Sequence, residues 1–307
     1  LFIFARNVET LVGIRFFQGI ASAMMMPVIQ AYVGDITLPG QEGFTMGFFN
    51  MSIFCGLSIG PIIGGGIKDT IGLNASFLCM GLLSLIGFFL SLFLLPPKTS
   101  EPAMTHGKNS FSWKMFFTDR HVVGLFLFMF AYVICVGFIW GFIPLLADME
   151  YAASSSLIGI LVMLGVFISG LIHVPMGYLA DKVSKKIIVT VGGLLVSYAV
   201  FSFEWAERIE DLVIATVFFG LGGGISMPAL MAMAVLEGSR INAMGSIMAL
   251  MTIAHSLGML CGALVGGLMM DFFQLRWAFP LGAIIMVSCT VFFLMGTHPQ
   301  KQEIIKN

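Results

Sequence analysis

Long apolar stretches alternate with short polar connectors along almost the whole chain. Crossing a hydrocarbon core about 30 Å thick takes about 20 apolar residues in a helix. Stretches of this kind cover residues 8–33, 43–66, 74–95, 122–147, 155–180, 185–203, 211–236, 243–270 and 277–296. The pattern therefore predicts nine membrane-spanning helices and an all-α membrane protein.

One connector is much longer than the others. Residues 96–121 are polar and contain several prolines, which marks a boundary between two parts of the chain. We expect residues 1–95 to be the end of an N-terminal half and residues 122–307 to form a C-terminal half of six helices. The chain opens on the apolar residues LFIF, without Met and without a positively charged leader, so we expect a fragment cut at its N-terminus.

The composition excludes most soluble functions. Of the 307 residues, 58% are hydrophobic and 10% are charged, and the net charge is −1, whereas soluble domains carry about a quarter charged residues. We therefore expect the lipid bilayer, and no nucleic acid, as a partner. The cysteines all lie in apolar stretches without a CxxC pair, so we expect no disulfide framework, no metal and no cofactor.

The positive charges are distributed unevenly between the two sets of alternating connectors. The set that includes residues 96–121 and the C-terminal tail holds ten Lys and Arg, counting Lys185 and Lys186 at the start of a span, and the opposite set holds four. Positive charge favours the cytoplasmic side of a membrane. We expect a multi-pass protein of the cell (inner) membrane, with the long loop and the C-terminus in the cytoplasm.

The apolar stretches contain an internal repeat. Shifting the chain by 202 positions superposes Gly56, Gly60 and Gly64 on Gly258, Gly262 and Gly266, and a shift of 201 superposes Gly19 on Gly220. Six predicted spans separate the copies, so both copies cross the membrane in the same direction. This arrangement is a parallel repeat of six-helix halves, an architecture of secondary transporters. On this count the spans are IV to XII of twelve.

Three motifs resemble the major facilitator superfamily and occur in the right order. They are LVGIRFFQGIASA at residues 11–23, GLSIGPIIGG at residues 56–65 and GYLADKVSKK at residues 177–186. The second is similar to the motif of the twelve-span drug:proton antiporter branch. The resemblance implies the major facilitator fold, with two six-helix halves that rock around a central cavity. Ser184 and Ala263 depart from the family pattern, and the usual arginine after span IV is missing.

Arg15 is the basic residue at mid-depth of a predicted span, where an arginine costs about 2.5 to 3.5 kcal/mol to insert. Gln18 lies on the same helical face. The resemblance implies that Arg15 lines the cavity and takes part in substrate or proton coupling, and the alternative is a structural tie to backbone carbonyls. The predicted spans hold no central acidic residue, so we expect the coupling carboxylate outside this chain.

Other polar or aromatic side chains at membrane depth are candidates for the substrate or coupling path. His173 and His255 could titrate near neutral pH, although a membrane histidine is more often a packing residue. The full set of candidates is Arg15, Gln18, Asn50, Tyr132, Trp140, His173 and His255.

Two further motifs have structural roles in the family. The glycine helix, Gly56, Gly60, Pro61, Gly64 and Gly65, has a smooth face that suits close helix contact. The resemblance implies a seal between the two halves, and the alternative is packing within one half. The loop motif, Gly177, Asp181, Lys185 and Lys186, resembles the family's cytoplasmic gate latch, and the alternative for Asp181 is an ordinary helix cap.

The resemblance implies a secondary active transporter that exports small amphipathic molecules or drugs, with protons as the coupling ion, acting as a monomer. A sugar or metabolite importer or uniporter of the same family is the alternative. A membrane-embedded lipid-modifying enzyme would need clustered His, Asp or Glu at one membrane face, and the sequence has no such cluster. We therefore expect no enzyme.

The charge asymmetry makes a direct prediction about orientation. Cysteines placed at Lys108 in the long loop and at Lys306 in the tail should resist a membrane-impermeant thiol reagent in intact cells and react after permeabilisation. A cysteine at Arg208, on the opposite side, is the matched control and should react in intact cells. Ready labelling at positions 108 and 306 in intact cells would reverse the orientation.

Overall fold

Nine long helices make up the part of the chain that the computed structural model describes, which is residues 2–5, 7–95 and 118–297. They are α1 Val8–Ile36, α2 Glu42–Thr70, α3 Leu73–Leu94, α4 Arg120–Tyr151, α5 Ser155–Lys182, α6 Lys185–Ser202, α7 Ile209–Arg240, α8 Met244–Phe272 and α9 Ala278–Gly296. Each is long and apolar enough to span a membrane. The predicted spans are confirmed, with helix ends that differ by at most four residues.

The helix ends are set by local capping. The Asp119 side chain accepts a hydrogen bond from the His121 amide at 2.9 Å and caps the start of α4. Ser154 accepts from the Leu157 amide at 3.3 Å and caps α5. Ala152, between these helices, adopts the left-handed conformation with φ 47° and ends α4. Most of the central loop, residues 96–117, and the C-terminal tail from residue 298 lie outside the described residues.

The described chain divides into two compact units, and α1 and α2 each contribute to both. Unit one holds the chain up to Met25 together with α2 from Gly56 onward and α3. Here α3 has no buried residue, and the Ser76 hydroxyl donates to the Gly64 carbonyl at 2.8 Å. The exposed faces carry large apolar side chains such as Phe16, Phe88 and Phe93. Such faces are stable only against lipid tails or other helices.

Unit two holds residues 26–55 and the six helices α4 to α9. In its core α7 packs against α5, α6 and α8, and α4 packs against α8 and α9. Several phenylalanines are fully buried there: Phe128, Phe138, Phe203, Phe279 and Phe293. These six helices are the ones that the sequence assigns to the C-terminal half.

Glycines allow α7 to contact three helices at once. A Cβ at Gly220 would lie 2.6 Å from the Gly165 carbonyl oxygen of α5. A Cβ at Gly222 would lie 3.0 Å from the Gly192 carbonyl oxygen of α6, and one at Gly223 would overlap the hydroxyl of Tyr132 on α4. Carbon and oxygen atoms do not approach so closely without displacement, so larger residues at these positions would push the helices apart.

The glycines of α8, which are the second copy in the repeat, pack against α4. A Cβ at Gly258 would lie 2.6 Å from the Phe130 carbonyl oxygen, and a Cβ at Gly262 would lie 2.7 Å from the Ile134 carbonyl oxygen. Both contacts are between helices of the C-terminal six. This copy of the glycine helix therefore serves packing inside one bundle.

Arg276, in the short connector between α8 and α9, ties this connector to the end of α4 and to the α6–α7 connector. Its guanidinium donates to the Glu150 carboxylate at 2.8 Å and to the carbonyl oxygens of Glu204 and Ala206 at 2.8 and 2.9 Å. It also donates to the Tyr151 hydroxyl at 2.9 Å. The hydrogen bonds to Glu150 raise the pKa of Arg276 above its ordinary value. The α4 end and two connectors are thereby held at one end of the bundle.

Candidate functional site

Two helices from different parts of the sequence cross in unit two with their backbones in direct contact. The contact pairs Gly43 with Gly177, Gly47 with His173, and Phe54 with Gly170, so that α2 and α5 run antiparallel across it. We call this contact the α2–α5 seam. The Gly170 Cβ position lies 2.9 Å from the Phe54 Cβ. Close contact of this kind is typical of small residues spaced four apart in membrane helices.

The glycines of the seam leave no space for side chains. A Cβ at Gly47 would lie 2.5 Å from the His173 carbonyl oxygen and 3.4 Å from the Gly177 Cα. Cβ atoms at Gly43 and at Gly177 would each overlap the other residue's carbonyl oxygen. The neighbouring atoms are backbone atoms, which cannot rotate away, so a larger residue must separate the two helices.

Asp181 closes the end of the seam by capping α2. Its carboxylate accepts hydrogen bonds from the amides of Gly43 at 2.7 Å and Phe44 at 2.8 Å. The first amides of a helix have no partner within the helix, and the N-terminus favours a negative charge. Asp181, at the end of α5, thus satisfies two amides at the start of α2. It does not cap α6, which begins after Ser184 without a side-chain cap.

The two lysines of the loop motif have different partners. The Lys185 ammonium lies 3.7 Å from the Asp181 carboxylate and supports its charge. Lys186 instead donates to the carbonyl of Thr297, which caps the end of α9. The structure therefore brings Gly177, Asp181 and Lys185 together at the seam and ties Lys186 to another helix.

His173 lies in the middle of the seam and is completely buried. Its Nδ1 lies 2.5 Å from the Ser169 carbonyl oxygen. A carbonyl only accepts, so Nδ1 must carry the hydrogen and Nε2 is left as the basic nitrogen. Nε2 is buried with no hydrogen-bond partner among the described residues. The Phe54 ring covers the imidazole, with 4.6 Å between the ring centroids.

Tyr132 lies inside the C-terminal bundle, where α4, α5 and α7 pack on one another. Its ring stacks on Phe219 with 5.8 Å between centroids. The hydroxyl of Thr216 on α7 is buried without a hydrogen-bond partner among the described residues, and the side chain of Ser169 on α5 lies beside the Tyr132 hydroxyl. A few polar groups in an apolar interior are typical of sites that bind small molecules of mixed polarity.

Arg15 and Gln18 meet in unit one. The Arg15 guanidinium donates to the Gln18 side-chain oxygen at 3.0 Å, and its central carbon lies 4.9 Å from the centroid of the Phe2 ring. Both side chains are exposed. The two residues that helical spacing places on one face thus form a hydrogen-bonded pair, and whether they line a cavity stays a prediction.

The other predicted path residues differ in burial. Asn50 is half-buried on α2, Trp140 is 37% exposed on α4, and His255 is exposed on α8. Of the predicted path, only His173 is buried against the seam, and Tyr132 is buried within the bundle.

The first copy of the glycine helix has an open face. Nothing in the described chain lies within 4 Å of a Cβ built at Gly56, Gly60 or Gly64. The helix runs without interruption through Pro61 and Gly65, whose side-chain surroundings lie outside the described residues. Whether this face seals two halves or packs within one stays a prediction.

Sequence reasoning missed the seam glycines. Gly43 and Gly47 are four residues apart at the start of α2, a spacing that signals close helix contact in membranes. The glycine run at residues 56–66, near the other end of the same helix, is a stronger signal of the same kind. The spacing of four between Gly43 and Gly47 is the signal in the sequence that identifies this contact. Gly177, the partner of Gly43, is part of the loop motif.

The chain is similar to known membrane transporters over most of its length. The model of the Major Facilitator Superfamily matches residues 1–149 and 125–307. An uncharacterized MFS-type transporter of Methanocaldococcus jannaschii is 25% identical over 287 residues, which cover 91% of this chain and 74% of the relative. Multidrug resistance protein 2 of Bacillus subtilis is 24% identical over 282 residues, covering 89% of this chain and 69% of that protein.

Solved structures show the same fold. The human organic anion transporter MFSD10 superposes with a TM-score of 0.68 at 15% identity, over 87% of this chain and 67% of that one. The proton:xylose symporter XylE superposes with a TM-score of 0.70 at 14% identity, over 86% of this chain and 66% of that one. The matched family and these relatives are transporters rather than enzymes. With its membrane-spanning helices and the family match across both of its parts, this chain belongs to the major facilitator superfamily.

Proposed function

We propose that the protein exports small amphipathic molecules in exchange for protons, and that the α2–α5 seam is the gate on its cytoplasmic side. In this proposal residues 1–95 and 122–307 belong to two halves that rock about a midplane cavity, so α2 and α5 lie in different halves. The observation that carries the proposal is the capping of α2 by Asp181, because it joins the ends of these two helices with a charged contact.

The composition of the spans favours amphipathic substrates over sugars. Between Val122 and Ala147 of α4, and between Leu212 and Leu236 of α7, the sequence contains no Asp, Glu, Lys or Arg. A sugar site needs several hydrogen-bonding groups, whereas adaptable methionines and aromatic rings suit varied apolar molecules. The similarity to Multidrug resistance protein 2 supports the same choice. The sugar or metabolite carrier is the second candidate, and the similarity to XylE in fold is what favours it.

Transport by the intact protein in proteoliposomes tests the proposal. An imposed pH gradient should drive movement of ethidium or rhodamine 6G against its own gradient and should leave xylose unaffected. Arg15→Ala should abolish this movement because the charge serves coupling, while Lys68→Ala, which removes an exposed positive charge elsewhere, should retain it. Xylose transport without dye transport would favour the second candidate. Dye transport that ignores the pH gradient would contradict proton coupling, and normal coupled transport by Arg15→Ala would return Arg15 to a structural role.

A pair of glycine-to-alanine variants tests the gate. Gly47→Ala places a methyl group 2.5 Å from the His173 carbonyl oxygen, whereas Gly81→Ala, on α3, meets no described atom within 4 Å. Overpacking costs about 1 to 3 kcal/mol, so Gly47→Ala should disfavour the closed seam by about tenfold or more. We expect it to lower the rate of coupled dye transport about tenfold at normal expression, with Gly81→Ala close to wild type. Equal rates for Gly47→Ala and wild type would show that the seam does not have to close during transport.

A further inference from the structure

His173 is a basic side chain enclosed at the seam, and the described residues offer no partner for a second proton. Nδ1 already donates to the Ser169 carbonyl, and Nε2 has no hydrogen-bond partner among the described residues. The Gly47 backbone lies against the His173 carbonyl, and the Phe54 ring lies against the imidazole. The contact between α2 and α5 therefore forms part of the enclosure of the imidazole.

A second proton on the imidazole conflicts with this enclosure. Taking a charged group out of water costs several kcal/mol even after relaxation, unless a partner compensates. The Phe54 ring offers a cation–π attraction of about 0.5 to 2 kcal/mol, which is smaller than that cost. Because the desolvation cost exceeds the cation–π attraction, His173 is neutral in the closed seam. A charged His173 favours separation of the two helices.

The ionisable groups around the seam do not neutralise such a charge. On α2 the only ionisable residue between Glu42 and Lys68 is Cys55, and on α7 there is none between Asp211 and Glu237. Within the spans, α4 contributes the ionisable side chains Tyr132 and Cys135, and α6 contributes Lys186 and Tyr198. Glu42, Asp181 and Lys185 lie at the end of the seam, and Asp181 is eight residues from His173, or about 12 Å along a helix.

We propose that His173 is a proton-binding residue of the gate: neutral His173 permits the α2–α5 seam to close, and protonated His173 opens it. The proton adds to the Nε2 lone pair and leaves from the same atom, so no other reactant is needed. Entry of the proton requires the helices to part first, because Nε2 is buried when they touch. The proposal rests on the seam being the gate of the proposed transporter, and it names the residue that links the gate to protons.

Distances between spin labels on the intact protein test this inference without any transport. Labels are placed on cysteines at Gln41 and Val183, exposed positions on either side of the Asp181 contact, after replacement of the native cysteines. In wild type we expect one short distance at pH 8 and a second, longer distance in at least about half of the molecules at pH 5.5, since free histidine has a pKa near 6.5. His173→Gln keeps a donor for the Ser169 carbonyl and cannot be charged. It should therefore stay at the short distance at both pH values.

The controls separate this inference from its alternatives. His121→Gln, which alters the pair that His121 forms with Glu237 at 3.9 Å, should keep the pH response of wild type. His173→Asn is a second neutral variant and should match His173→Gln. A pH-independent distance in wild type, or a full pH response in both neutral variants, would overturn the inference. A failure of the proposed function would appear separately, as an absence of gradient-driven dye transport in wild type.

Discussion

The backbone contact between α2 and α5 is the constraint on which the proposed gate depends. Two membrane helices approach this closely only where both lack side chains, and Gly43, Gly47 and Gly177 meet that condition. The carboxylate of Asp181 then reaches the free amides at the start of α2. Steric fit and charge act together here, because the cap forms only when the helices touch.

The same physical rule organises the C-terminal bundle. Lipid tails are as apolar as the helix surfaces, so packing and small residues, rather than the hydrophobic effect, hold membrane helices together. Gly220, Gly222 and Gly223 allow α7 to pack against three neighbouring helices. Gly258 and Gly262 allow α8 to pack against α4. The bundle is therefore closely packed, with Arg276 holding its connectors at one end. In the proposed gate, α2 closes against this bundle.

The nine spans could be predicted because length and hydrophobicity decide membrane crossing. The family could be predicted because its motifs carry backbone and charge requirements that few other sequences meet. Asp181 and Gly177 could be selected as candidates from their motif, but their partners on α2 could not be identified. A contact over 138 positions of sequence separation leaves no local signal. The ring contact of His173 could not be predicted for the same reason, since its partner Phe54 belongs to another helix.

Reversible cross-linking across the seam tests most directly whether it opens and closes during transport. Cysteines at Gln41 and Val183 in a background without native cysteines would be joined by a short cleavable thiol reagent, and dye transport measured before and after cleavage. If the seam is the gate, the link abolishes transport and cleavage restores it, while either single cysteine treated in the same way transports normally. Undiminished transport by the linked protein would contradict the gate.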